Sequence, residues 1–361
     1  MHVIFVPPHV LHTQPASWIQ MAYKYKASCI LTSSRALAGC IQMANLKEMN
    51  NVNLETIRMI LLADGANPWS LATSDAFVDA YSGKNLSKET VCPCAGSPEA
   101  LTVSLRRPIK SATNTTGRGV MSIHGLSHGV VRVEEPGTMT SLTLQDTGLV
   151  MPGARIVTVR LKDAPVLCRT DEVGELCVQS LATGSAYFGL QGRTSQTFQV
   201  TPVDDKNQPI SQTPFVRSGL LGFVGQGGLV FVCGTIEGLI QISSRRHNTE
   251  DLIATVLAVE PHTFVYKGRI ALFSVTILHD ERVVVIAEQR PGCKDEDAFK
   301  WMNGVLPAVE SIHGINLYAI VLVGPGKLPK GPTGMIQIHE TRQRFLDGNL
   351  HPVNILVCPD Q

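Results

Sequence analysis

Few side chains in this sequence stand in a pattern that metal or acid–base chemistry requires. Glu99 ends the segment A-G-S-P-E and could bind a metal ion. It could equally be the first-turn acid of a helix that starts after the proline, where the helix dipole favours negative charge. His124 and His128 could form a metal pair, but no third ligand is near in sequence, so a strand or insertion surface is the alternative. Cys92 and Cys94 are one residue apart, which is too close for the usual zinc spacing.

Two further segments combine residues in an unusual way. In R-S-G-L-L-G, residues 217–222, Gly219 allows a turn between two strand-like runs, because glycine enters left-handed backbone conformations at little cost. A polar residue usually follows such a glycine in an exposed turn, whereas Leu220 follows it here. The segment is therefore either a plain structural hairpin or a site that lacks its polar residue. The run R-R-H at 245–247 could contact a ligand, or form a solvated turn before a helix that begins near residue 249.

The elements that must position these residues differ along the chain, and the first of them indicate an α/β layer. Apolar runs at 28–32 and 57–63 predict two buried strands of a parallel sheet. Asn67 is a suitable N-cap, and Pro68 a suitable first residue, for the helix that follows the second strand. An earlier helix would have four side chains on one apolar face: Trp18, Met21, Ala22 and Tyr25.

The rest of the chain predicts two further regions. Between residues 106 and 233, short apolar runs alternate with glycine, proline and asparagine, which is typical of a β-rich subdomain. From residue 236 to 356 the pattern predicts a small α+β domain. The predicted strands are 129–133, 155–161, 174–179, 229–233, 270–278, 282–287 and 317–323, and the predicted helices are 193–198 and 295–309.

Composition excludes several classes of protein. The 361 residues are 44% hydrophobic and 17% charged, which indicates a globular chain long enough for two or three domains. A net charge of +1 offers no electrostatic case for binding nucleic acid or an anionic membrane. No apolar run reaches the ~20 residues of a transmembrane helix, and the N-terminus does not resemble a secretory signal. Nine irregularly spaced cysteines, most of them in apolar runs, predict reduced structural thiols in a cytoplasmic protein.

Six segments resemble, in order, the motifs of adenylate-forming enzymes. They are G-A-N-P at 65–68, A-G-S-P-E at 95–99, G-E-L-C-V at 174–178 with Y-F-G at 187–189, R-S-G-L-L-G at 217–222, G-T-I-E-G-L-I at 234–240 and L-P-K-G-P-T-G-M at 328–335. Each motif alone is weak, but six in the family's order over nearly the whole chain make a specific resemblance. It implies the adenylate-forming fold, with the end of a large α/β domain (1–105), a β-rich subdomain (106–233) and a hinged α+β lid (234–356).

Within that superfamily the chain looks most like the fatty-acyl-AMP ligase branch, whose characteristic insertion would fall near 118–135. The segments 63–69, 92–103, 217–225 and 245–248 further resemble the disco-interacting protein 2 family. Those proteins are long and contain two ligase-like modules. The family's phosphate-binding loop would lie upstream of Met1, so the resemblance implies a partial module.

The resemblance assigns chemical roles to five positions. In the family a tyrosine stacks on adenine, a glutamate binds magnesium, an aspartate binds the ribose hydroxyls, and an arginine and a lysine support the reacting phosphate. The glutamate position is Glu99, whereas the tyrosine, aspartate, arginine and lysine positions are Ala95, Leu220, Thr235 and Met335. Lys327 and Lys330 could replace the lysine, or could belong to a flexible surface loop. The implied nucleotide-pocket positions are Gly65, Ala66, Asn67, Ala95, Gly96, Ser97, Glu99, Leu220 and Thr235.

Two functions follow from this pattern. The first is a catalytically degenerate AMP-binding module that binds an acyl or nucleotide ligand, or a protein partner, and regulates lipid metabolism or neuronal development. The alternative is ATP- and Mg²⁺-dependent activation of a fatty acid or acetate as an acyl-adenylate. Since fixed positive charge at the transition state contributes about 10²–10³ in rate, the missing positions favour the first function for this chain.

Overall fold

The chain divides into two compact units, and most positions with an implied role lie in the first. The computed structural model describes residues 2–108, 117–161, 164–242, 244–261, 264–331 and 335–358. The first unit comprises residues 1–121, 130–136 and 142–236, and the second comprises residues 122–129, 137–141 and 237–361. The three-part domain division drawn from the sequence remains a prediction.

The helices and strands follow each other in alternating groups. The helices are α1 (Pro8–Thr13), α2 (Ser17–Lys24), α3 (Ser34–Ile41), α4 (Ser70–Tyr81), α5 (Ile123–Ser127), α6 (Gln191–Phe198), α7 (Thr249–Ala258), α8 (Asp295–His313) and α9 (Ile338–Leu346). The first strands are β1 (Cys29–Thr32), β2 (Met59–Leu62), β3 (Val91–Ser97), β4 (Leu101–Leu105), β5 (Arg118–Ser122), β6 (Ser141–Gln145), β7 (Leu149–Val150), β8 (Arg155–Val159) and β9 (Gly174–Gln179). The later strands are β10 (Val216–Val224), β11 (Val230–Thr235), β12 (Leu239–Ile242), β13 (Arg245–Asn248), β14 (Val265–Ile277), β15 (Asp280–Gln289), β16 (Leu317–Val323) and β17 (Asn354–Val357).

The first sheet of unit 1 has the strand order β1-β2-β3-β4-β7. Its first three strands are parallel, as the sequence predicts, whereas β4 and β7 join antiparallel. Helices α2, α3 and α4 share a hydrophobic core with β2, in which Trp18, Ile60, Phe77 and Tyr81 are buried. This core fixes where β2 and β3 end, and therefore where the motif segments 65–68 and 95–99 lie.

The second sheet of unit 1 is antiparallel, with the order β11-β10-β9-β8. It shares an apolar cluster with β3 and β4 of the first sheet, since Ala95 and Val103 pack with Leu176, Val178 and Val232. The β-rich character predicted for this region is confirmed, and strand 174–179 has the predicted bounds.

The structure corrects four local expectations within residues 2–236. Residues 129–133 form isolated bridges instead of a strand. Asn67 does not cap α4, because the helix begins at Ser70, and the Asn67 side chain instead accepts a hydrogen bond from the Trp69 amide (3.0 Å). Tyr25 is 55% exposed, because α2 ends before it. The fourth correction concerns 217–222, which lie inside the single strand β10 and form no hairpin turn.

Unit 2 is built on the mixed sheet β14-β15-β16-β17. The predicted pairing of 270–278 with 282–287 is confirmed by antiparallel β14 and β15, and β16 has the predicted bounds. Helix α8 runs to His313, longer than the predicted 295–309, and its Trp301 is fully buried. Among the described helices of the chain, none is long and apolar enough to span a bilayer.

Candidate functional site

Glu99 lies in the turn between β3 and β4, not at the start of a helix. Its side chain accepts a hydrogen bond from the Tyr187 hydroxyl (2.6 Å), and its backbone carbonyl accepts one from the Gly184 amide (2.7 Å). Partial burial raises the pKa of Glu99. Hydrogen bonds from Tyr187 and Ser97 and the charge of Arg193 together outweigh this effect, so the pKa lies below its usual range. Glu99 is therefore ionised at neutral pH and is already bound to the segment that leads to α6.

Tyr187 is the centre of a small cluster around that carboxylate. Its ring lies 5.1 Å from the Arg193 guanidinium carbon and 5.1 Å, edge to face, from the Phe198 ring. Its backbone amide donates a hydrogen bond to Thr194 Oγ1 (3.0 Å). The hydrogen bond to Glu99 raises the pKa of the Tyr187 hydroxyl, so the tyrosine remains the donor at neutral pH. The Glu99 carboxylate is therefore held by side chains of the same unit.

The segment R-S-G-L-L-G forms an irregular part of β10. Gly219 has φ +70°, a left-handed conformation that glycine adopts without strain, and the pairing with β9 shifts register here. Glu175, which is 1% exposed, pairs with Arg217 and accepts a hydrogen bond from the Gly219 amide (3.3 Å). Ser218 donates its hydroxyl to the Leu176 carbonyl (2.6 Å). The arginine, serine and glycine of the motif thus have structural partners within the sheet.

Leu220 occupies an apolar environment in this strand. It is 7% exposed, lies opposite Thr235 of β11, and belongs to the cluster that contains Ala95 and Ala66. Ala95 is fully buried. Three of the implied nucleotide-pocket positions therefore pack in one hydrophobic cluster together with Leu176.

A cavity of about 470 Å³ lies beside the loop 65–67 that follows β2. Its lining combines apolar side chains such as Leu71 and Val78 with both signs of charge. The charged residues are Asp75, Asp79, Lys88, Glu89, Arg106, Arg107 and Arg118. Arg118 forms a bidentate pair with Asp75 (3.0 and 2.7 Å), and Arg106 pairs with buried Asp146 (3.3 Å). Of the implied pocket positions, this cavity contacts Gly65, Ala66 and Asn67.

The lysine position and its candidate replacement lie in unit 2. Met335 is 64% exposed, and residues 332–334 lie outside the described part of the chain. The Lys330 ammonium is 3.9 Å from the buried Glu288 carboxylate, which also accepts a hydrogen bond from the Leu328 amide (2.9 Å). Lys330 therefore has a structural partner, and Lys327 is exposed.

The histidine and cysteine candidates do not form a metal centre among the described residues. His124 and His128 are exposed and lie on or just after helix α5, so they are not on a strand, whereas their place on an insertion surface stays a prediction. His247 is 3% exposed, within β13, so the predicted solvated turn at 245–247 is wrong. Cys92 and Cys94 are buried, and burial raises the pKa of the Cys92 thiol to about 11.

The residues present do not fit an adenosine nucleotide with Mg²⁺ in the family's arrangement. A buried alanine at position 95 offers no ring to stack on adenine, and Leu220 offers no acceptor to the ribose hydroxyls. The Glu99 oxygen Oε1 already accepts the Tyr187 hydroxyl.

Two residues that sequence reasoning missed have central structural roles here. Glu175 was visible as a charged residue in the apolar run G-E-L-C-V, and a buried carboxylate there must have a partner. Tyr187 was visible in the segment Y-F-G, but its contact with Glu99 joins residues 88 positions apart. No local pattern indicates such a pairing.

The chain is similar in sequence to eukaryotic proteins that are several times its length. Disco-interacting protein 2 of Drosophila melanogaster is 50% identical over 99% of this chain, and disco-interacting protein 2 homolog A of Mus musculus is 50% identical over 99%. The chain spans 21% and 23% of these relatives' lengths. A medium-chain-fatty-acid–[acyl-carrier-protein] ligase of Moorena producens is 26% identical over 95% of this chain and 56% of that protein. No family model matches the chain.

Structural comparison identifies the fold. A fatty acyl-adenylate ligase structure from a study of the E. coli and L. pneumophila enzymes superposes with a TM-score of 0.76 at 20% identity, covering 94% of this chain and 56% of that chain. The L. pneumophila ligase in complex with acyl adenylate and pyrophosphate gives a TM-score of 0.55 at 19% identity, covering 97% and 58%. The chain therefore has the fold of adenylate-forming enzymes, as the order of its motifs predicts.

Proposed function

Because the chain belongs to the disco-interacting protein 2 family, we propose that it is an AMP-binding-type module that binds a small ligand without adenylating it. The single observation behind this proposal is the hydrophobic cluster that contains Ala66, Ala95 and Leu220. Burying a ribose hydroxyl or phosphate against such a surface leaves its polar groups without hydrogen bonds, which costs several kcal/mol.

The ligand class that suits the described cavity is an acyl compound with a carboxylate. A volume of about 470 Å³ is in the range of small-molecule sites. Apolar residues such as Leu71 and Val78 can contact a hydrocarbon chain, and Arg107 is an exposed cation in the same lining. A guanidinium binds a carboxylate with two parallel hydrogen bonds, so the arginine suits the acid group.

For the longer protein we propose a regulatory role in lipid metabolism or neuronal development, in the cytoplasm and through protein partners. The support is the 50% identity to disco-interacting protein 2 together with the apolar cluster. A module that binds an acyl ligand and releases it unchanged can report ligand concentration to a partner through the binding free energy alone.

Calorimetry and pyrophosphate exchange on the chain together test this proposal. We expect saturable binding of decanoate, weakened about tenfold by Arg107→Gln because one charge-assisted interaction is lost. The exposed Arg155 of β8 provides the control, since Arg155→Gln removes the same charge elsewhere. ATP with Mg²⁺ should give neither saturable heat nor exchange. ATP-dependent exchange, or decanoate binding that is equal in both variants, would contradict the proposal.

One observation favours the alternative of ATP-dependent acyl activation. Glu99 is retained, and its lowered pKa keeps a charged carboxylate at the family's magnesium position, although one of its oxygens accepts the Tyr187 hydroxyl. If this alternative is correct, Glu99→Gln should abolish any exchange that the chain shows with Mg²⁺, while Glu55→Gln, at an exposed carboxylate of the same unit outside the cavity lining, should leave it unchanged.

A further inference from the structure

Two arginines of unit 2 approach one tyrosine ring at a break in the sheet. Strand β14 pairs with β15 at Val265 and again from Ile270, and the register shifts between them. In this bulge Gly268 has φ +77°, with open space where a Cβ would point. The Tyr266 ring centroid lies 4.7 Å from the Arg269 guanidinium carbon and 5.0 Å from that of Arg290. The two guanidinium carbons are therefore at most about 10 Å apart.

The charges around this ring are not balanced. Glu288 is fully buried and pairs with Arg269 (2.8 Å) and with Lys330 (3.9 Å). Arg290 is exposed and forms no ion pair with any residue that the structure describes. Arg269 and Lys330 share the Glu288 carboxylate, and Arg290 adds a third cation beside the ring. These four described side chains together carry a net charge of about +2.

The strand geometry explains why these groups converge. Glu288 lies near the end of β15, and Arg290 directly follows the strand, where its amide donates a hydrogen bond to the Phe264 carbonyl (3.0 Å). Side chains two residues apart along an extended chain lie on the same face. The bulge in the neighbouring strand brings Tyr266 and Arg269 to that face, because β14 takes five steps from Val265 to Ile270 where β15 takes two, and such extra residues redirect the side chains next to them. The Glu288 carboxylate also accepts the Leu328 amide (2.9 Å), which brings the loop bearing Lys330 to the cluster.

We propose that this arginine–tyrosine cluster binds a phosphate monoester dianion. A dianion matches the uncompensated charge, and guanidinium groups bind phosphate oxygens with paired hydrogen bonds. The tyrosine ring supports the guanidiniums by cation–π contact and limits their rotamers, which reduces the entropy lost on binding. The site belongs to unit 2 and uses none of the nucleotide-pocket positions of unit 1, so it is independent of the function proposed above.

Calorimetric titration of the chain with inorganic phosphate at low ionic strength is the first test. We expect one saturable site, with affinity reduced about tenfold in Arg290→Gln and unchanged in the control Arg155→Gln. Tyr266→Leu should also weaken binding, while circular dichroism confirms that each variant keeps the fold. Equal phosphate binding by the wild type and Arg290→Gln, or no saturable binding of phosphate in any form, overturns the proposal.

A vesicle arm distinguishes the source of the phosphate group. Cosedimentation of the chain with vesicles of phosphatidic acid in phosphatidylcholine is compared with vesicles of phosphatidylcholine alone. Binding to phosphatidic acid that depends on Arg290 supports a lipid monoester as the source, whereas saturable binding of inorganic phosphate alone supports a soluble one. Vesicle binding that is the same in Arg290→Gln and the wild type shows that the cluster is not the lipid site. If the binding of inorganic phosphate is also independent of Arg290, the proposal is overturned.

Discussion

Replacing Leu220 by aspartate is expected to destabilise the first unit without creating an adenylation site. The leucine is 7% exposed and packs with Ala95, Leu176 and Val232. Truncating a buried leucine costs about 2–5 kcal/mol, and burying a polar group without a partner costs about 1–3 kcal/mol. We expect the free energy of unfolding to fall by about 4 kcal/mol, which lowers the melting temperature by about 10 °C.

The pH dependence of this loss identifies its cause. Burial disfavours the charged form, so the pKa of the new carboxyl group lies above its usual ~3.9. Because its folded-state pKa exceeds its unfolded-state pKa, the folded variant binds the proton more readily. The difference in melting temperature from the wild type therefore shrinks as the pH falls from about 7 toward about 4. Leu220→Asn is the matched control, because the amide cannot ionise. The difference in melting temperature between Leu220→Asn and the wild type should therefore not change with pH.

Activity is expected to remain at background in Leu220→Asp. A carboxylate near the ribose would act on ground and transition states alike, and only interactions stronger in the transition state raise the rate. Thr235 and Met335, at the family's arginine and lysine positions, supply no charge. Pyrophosphate exchange should rise only when Thr235→Arg and Met335→Lys are added. Exchange from the single variant, or an unchanged melting temperature, would refute the reasoning.

Two further perturbations follow from single contacts. His247 and His313 are buried, and burial lowers the pKa of each from the usual 6.5 to about 4. Because the folded-state pKa lies below the unfolded-state pKa, the contribution of each neutral histidine to the free energy of unfolding of unit 2 is complete above pH 6.5. As the pH falls from 6.5 toward 4, the unfolding free energy drops by up to about 3 kcal/mol for each histidine. Urea unfolding at about pH 7 and about pH 4.5 measures this loss, which should be smaller in His313→Gln; an equal loss there would contradict the expectation. Tyr187→Phe removes the hydrogen bond to Glu99, so we expect a loss of about 1 kcal/mol and faster hydrogen exchange in residues 184–198. The fully exposed Phe188 provides the control, because Phe188→Leu should leave that exchange unchanged.

The sequence by itself determined the elements whose residues face one buried environment. Short apolar runs predicted strands 174–179 and 317–323 with the observed bounds, because a strand that is buried on both faces has few polar residues to interrupt the run. Motif order identified the adenylate-forming fold. Local patterns failed where residues far away in sequence determine the backbone conformation. Residues 217–222 are an example: they form one irregular strand, in which the Gly219 amide donates a hydrogen bond to Glu175 of the neighbouring strand.

Only the tertiary structure decided the character of the candidate site. The sequence showed Ala95 and Leu220 as two separate departures from a motif. The packing of two sheets places them in one hydrophobic cluster with Ala66, although they are far apart along the chain. In the same way, the partner of Glu99 is Tyr187, which the fold brings to it from the segment before α6. Burial and pairing are properties of space, and residue spacing along a chain carries no information on contacts between segments that meet only when the sheets pack.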